Sequence, residues 1–155
     1  MLKRTGTIFV LLLVLVIFAA CATPAELLAE IKAQQTAVAE QWAEALKNRD
    51  GQAQYALLTE EQQKNFYDEL SKQNGENEVN WLIGSSDFII ENYQVDVTTK
   101  ETLVTYRAKD PDGNIYIMVE KLSFKQVKDN WLINDYQTVV DYIDEQSYNK
   151  QAENQ

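Results

Sequence analysis

Apolar positions change their period once along this chain, and the change divides it into a helical part and a stranded part. From residue 23 the apolar spacing is three and four: Leu28, Ile31, Val38, Trp42 and Ala45 or Leu46 recur on one helical face, interrupted by Gln34 and Gln35. Thr23, Pro24 and Glu26 supply a capping box at the start, and Arg49-Asp50-Gly51 supplies a stop. A short helix over 52–58, capped by Asp50, is expected next. Thr59-Glu60-Glu61-Gln62 reads as a second capping box, opening a helix whose Phe66, Tyr67 and Leu70 form one apolar stripe. The pattern over 79–84 fits either one turn of helix or a buried connector.

From Asp87 the period is two, which predicts strands over 88–97, 102–109, 115–128 and 131–140. The alternation slips within two of them. Phe88 and Ile90 are out of phase with Tyr93, Val95 and Val97, and Ile115, Ile117 and Val119 are out of phase with Leu122 and Phe124. Bulges in the first strand and near Glu120 and Lys121 in the third would reconcile the phases and bend the sheet. Helices followed by a meander of strands give an α+β fold: N-terminal helices packed on a curved, mainly antiparallel four-stranded sheet. Residues 141–155 read as a short polar helix or a frayed tail.

The first 21 residues follow another rule. Lys3 and Arg4 precede an uncharged apolar run over 8–20, ended by Cys21. A membrane-spanning helix needs about 20 apolar residues, so the run suits a cleaved export signal. Phe18-Ala19-Ala20-Cys21 resembles the lipobox of bacterial lipoprotein precursors, with Phe18 where Leu is usual. That resemblance implies cleavage before Cys21, diacylglycerol on its thiol and an acyl chain such as palmitate on the new amine. Two or three chains hold a protein firmly to a bilayer, where one holds poorly. The organisation expected is a signal peptide over 1–20, a lipidated N-terminus and helical stalk over 21–37, a folded domain over 38–140 and a polar tail over 141–155. The location expected is the cell membrane, facing outward.

Charge narrows the partners. The chain has 24 acidic and 14 basic residues; without Lys3 and Arg4 the net charge goes from −10 to −12. A surface of that sign repels nucleic acid and anionic headgroups, which leaves the lipid as the membrane contact. With Cys21 the only cysteine, no internal disulfide forms. Asp110-Pro111-Asp112-Gly113-Asn114 looks like part of a calcium loop but lacks the spacing and closing Glu of an EF-hand, so a hairpin turn is expected and no metal site. No cofactor is expected.

The order 38–50, then Tyr55-Ala56-Leu57-Leu58-Thr59, a further helix, and a sheet ending in Asn130-Trp131-Leu132-Ile133-Asn134-Asp135-Tyr136 resembles the NTF2-like (nuclear transport factor 2-like) superfamily. In particular it is similar to the small domains of that superfamily in bacterial surface lipoproteins and penicillin-binding proteins. The resemblance implies a cone, with a long helix cradled by a curved sheet and a cavity at the wide end. Members of the superfamily include isomerases and dehydratases as well as domains that only bind. The chain has no histidine, which removes any His-dependent mechanism and any His-ligated metal.

A carboxylate mechanism remains. Alternation puts Trp131, Ile133, Asp135, Gln137 and Val139 on one face, so a concave face would bury Asp135, raise its pKa and poise it as a base. Tyr106 or Tyr116 would then donate to the developing oxyanion. The alternative is that Asp135 meets solvent and the tyrosines are core residues. Trp42 and Trp131 are candidate ligand contacts on the same terms. The reading that follows is a lipid-anchored envelope module binding a protein or a small apolar ligand; the alternative is an acid–base isomerase or dehydratase working through Asp135.

Overall fold

The computed structural model describes residues 23–74 and 79–153. The expected export signal and Cys21 lie outside the described residues. The chain divides into two units at Ile31/Lys32.

In the first unit, residues 23–31, the expected capping box is formed. The Thr23 backbone N–H donates to Glu26 Oε2 at 2.7 Å, and the Glu26 N–H donates to Thr23 Oγ1 at 3.3 Å. These reciprocal bonds satisfy donors that a helix start would otherwise leave open. They open helix α1 (Pro24–Lys47).

In the second unit α1 buries Ala39, Trp42, Ala43, Ala45 and Leu46. It ends where Arg49 takes a left-handed φ of +58°. Asp50 then caps α2 (Gly51–Ala56) by accepting the Ala53 N–H at 3.0 Å. Gly51 is required there by a close approach: its N–H donates to the Trp81 carbonyl at 2.8 Å, and a Cβ on it would stand 2.6 Å from that oxygen. The segment around Trp81 is thus a connector bridged to Asp50 through Leu82, not a turn of helix.

Helix α3 (Glu60–Asn74) follows, with Phe66 and Leu70 buried and Tyr67 half exposed against Trp81. Its start corrects an expectation. Thr59 Oγ1 is buried and has no hydrogen-bond partner, so no capping box forms. The backbone of Thr59 is instead committed to the sheet: its N–H donates to the Ile133 carbonyl at 2.9 Å, while the Ile133 N–H donates to the Leu57 carbonyl at 2.9 Å.

The sheet has four antiparallel strands in the order β1 (Ile89–Val97), β2 (Thr102–Lys109), β3 (Ile115–Val127) and β4 (Asn130–Asp144). It is curved and open, and the α+β class expected from the patterns is the one observed. The β2–β3 turn is the hairpin expected: Asp110 accepts from the Asn114 side chain and backbone, both at 2.8 Å, and Gly113 has φ +91°. Among the described residues no group of acidic or cysteine side chains is placed to hold a metal.

The bulge in β1 is found at Glu91, between the pairs Ile90/Ala108 and Asn92/Arg107. The one expected in β3 is not there: β2 and β3 pair without a break from Thr102/Leu122 to Lys109/Ile115. β3 is instead apolar on both sides, with Met118 and Leu122 toward α1 and Ile117 and Val119 on the other face, all buried. The extra residues belong to β4, at Asn134, at Val139 and in the pair Asp141 and Tyr142. β4 also runs four residues past the expected end, because Ile143 and Asp144 pair with Ile117 and Tyr116. Asp144 then caps α4 (Glu145–Ala152) by accepting the Ser147 N–H. Arg107 ties α4 to the sheet by donating to Glu145 at 3.2 Å and pairing with Glu91. Among the described residues no helix is long and apolar enough to cross a membrane.

Candidate functional site

The chemistry of the second unit is concentrated at two places, one inside and one on the surface. Inside, Glu120 lies on the α1 side of β3, in phase with Met118 and Leu122, and is buried. Its Oε2 accepts the Trp42 indole N–H at 2.9 Å and the Tyr106 hydroxyl at 2.7 Å. Trp42 and Tyr106 are themselves almost wholly inaccessible. Tyr136 extends the cluster with its ring 5.0 Å from that of Trp42.

Burial pushes the Glu120 carboxyl above the usual carboxylate range, and the bonds from Tyr106 and Trp42 only partly oppose it. Both of those donors use Oε2. Burial also drives the Tyr106 hydroxyl upward, helped by the charge of Glu120, so the phenol stays protonated and donating. A buried acid held by a tyrosine and a tryptophan is a polar clasp between α1, β2 and β3. Glu120 was not a sequence candidate, although its even spacing from Met118, Leu122 and Phe124 is a legible signal of an acid in an apolar phase.

The Asp135 site expected from alternation is not assembled. The extra residue at Asn134 reverses the phase of β4, so that Ile133 is fully buried while Asp135 is exposed and pairs across the sheet with Ser123. Tyr136 takes the inward position instead. Around Asp135 is a polar recess of about 370 Å3 that includes Asn65, Asp68, Glu69 and Lys72. Neither proposed donor reaches Asp135: Tyr106 bonds Glu120, and Tyr116 packs edge-on against Phe88 at 5.0 Å. Trp42 is a core residue. Trp131 is partly buried, and its indole N–H is buried without a partner.

On the surface, the bonds between residues 57–59 and Ile133 bring the start of α3 beside the β3–β4 hairpin. Between them lies a groove of about 960 Å3. Leu58, Val127 and Leu132 give it apolar walls, and Lys125, Asn134 and the first turn of α3 give it polar ones. Its size is at the upper end of that of small-molecule sites. An apolar surface edged by two lysines, three side-chain amides and two glutamates binds by shape and burial.

Compared with known protein families, curated proteins and solved structures, the chain matches none.

Proposed function

We propose that the protein is a lipid-anchored module of the cell envelope, held by Cys21 on the outward side of the membrane, that binds an apolar ligand or an envelope protein in the groove between α3 and the β3–β4 hairpin. The observation that carries this reading is the division of labour between the two places. The buried acid is occupied by donors of the fold itself, whereas the groove is open and Val127 and Leu132, which stand outside the core, line its apolar wall beside the core residue Leu58. The resemblance to NTF2-like lipoprotein domains is supported by a long helix lying on one face of a four-stranded antiparallel sheet. The competing reading, turnover by Asp135, needs an apolar concave surround and a nearby donor, and the surround of Asp135 is polar.

Native mass spectrometry of residues 22–155, released from the host envelope, tests the proposal. A reproducible adduct that leaves on denaturation supports binding. Turnover of a small carbonyl or hydroxyl substrate that Asp135→Asn abolishes without unfolding overturns it.

A further inference from the structure

The first unit carries an apolar face of its own. Leu27 and Leu28 are 52% and 64% exposed, and Ile31 is half-buried. At 3.6 residues per turn these three lie within about 100° of arc, while Glu26 and Glu30 lie on the other side of the helix. Such a stripe at the start of a helix has no role in a core. Its place along the chain says what covers it. Thr23 is two residues from Cys21, and Leu27 is four residues further, about 6 Å of helix rise. Two extended residues add at most about 7 Å, so Leu27 stays within about 13 Å and Leu28 within about 15 Å of the Cys21 Cα. With the Cys21 lipid in the bilayer, that reach covers the headgroup layer and the start of the acyl region, the depth at which interfacial helices seat their apolar faces.

Resting on the anchoring reading above, we propose that the first two turns of α1 are a membrane-seating element: Leu27, Leu28 and Ile31 enter the interfacial layer of the bilayer that holds the lipid of Cys21. The occupant is a phospholipid surface and not a second copy of the chain. Paired helices need an apolar seam sustained over three or four heptads, and this one breaks at Gln34 and Gln35. The contact is apolar, because the acids at 26 and 30 and the net negative charge give no attraction to anionic headgroups. Seating the first turns would hold the domain near the surface without any basic patch.

The acylated full-length mature protein, reconstituted in phosphatidylcholine vesicles with bromine on the acyl chains, tests this. The Cys21 thiol is consumed by its thioether, so Leu28→Cys and Ala29→Cys each offer one site for a fluorescent label, on the apolar face and on the opposite face. The expected result is quenching several-fold stronger at 28 than at 29, unchanged in high salt. Equal quenching at both positions overturns the proposal, as does efficient disulfide crosslinking between copies through position 28. Intact mass of the same preparation reads acylation separately. An unmodified Cys21 overturns the anchoring reading and this proposal with it, whereas an acylated Cys21 with equal quenching overturns this proposal alone.

Discussion

Trp42 and Glu120, 78 positions apart, meet through a 2.9 Å hydrogen bond from the indole N–H to the carboxyl, and this bond fixes how α1 lies on the sheet. Tyr106 donates to the same oxygen, so the three residues act as a unit. Removing the acceptor is expected to be severe. Glu120→Ala strands two buried donors and should cost about 2–5 kcal/mol, read by urea unfolding.

Glu120→Gln keeps an acceptor oxygen and removes the titration. The folded-state pKa of Glu120 is raised by burial, so between the unfolded value, about 4.5, and the folded one the native state holds more protons than the unfolded state. The stability that Glu120 contributes is therefore full at acid pH and declines as pH rises through that window. Unfolding free energies measured from pH 5 upward should fall more steeply for the wild type than for Glu120→Gln. Equal slopes would show that Glu120 ionises with an ordinary pKa.

Trp42→Phe and Tyr106→Phe each remove one donor to Oε2 and keep most of the ring volume. Each should cost about 1–3 kcal/mol. Because the two bonds share one acceptor, the double variant should depart from the sum of the single ones by about 0.5 kcal/mol or more in a double-mutant cycle.

Thr59→Val distinguishes a cap from a buried hydroxyl. A capping threonine loses about 1 kcal/mol on such a change. Thr59 Oγ1 has no partner, so the variant should be neutral or more stable by about 1 kcal/mol, as a shift in the urea midpoint.

Gly51→Ala would set a Cβ 2.6 Å from the Trp81 carbonyl oxygen and 2.8 Å from Ile83 Cγ2. Neither the bridged backbone nor the buried isoleucine has room to move, so a loss of about 1–3 kcal/mol is expected in thermal or urea unfolding.

Much of the fold is legible in the residues, and the misses share one cause. Helix spans, the Thr23 and Asp50 caps and the Asp110 turn follow from local patterns whose partners lie within a few residues, and the β1 bulge shows as a slip in the alternation of its own strand. The β4 bulges do not. They are set by pairing with β3, where Ile117, Met118, Val119 and Glu120 are all buried and alternation alone cannot say which strand absorbs the extra residue. One inserted residue at Asn134 turned Asp135 outward and Tyr136 inward, which removed the expected site. Thr59 failed as a cap for a similar reason: its backbone pairs with Ile133, 74 positions away, and local capping rules carry no knowledge of that. Glu120 was the acid to find, and its phase with Met118 and Leu122 was the signal.

In the proposed division of labour the interior acid serves the fold and the groove serves the ligand. Native mass spectrometry of envelope-derived Glu120→Gln and Leu132→Asp, side by side with the wild type, tests it most directly. The expected result is an adduct retained by Glu120→Gln and lost from folded Leu132→Asp. An adduct lost from folded Glu120→Gln and kept by Leu132→Asp would place the ligand in the interior and contradict it.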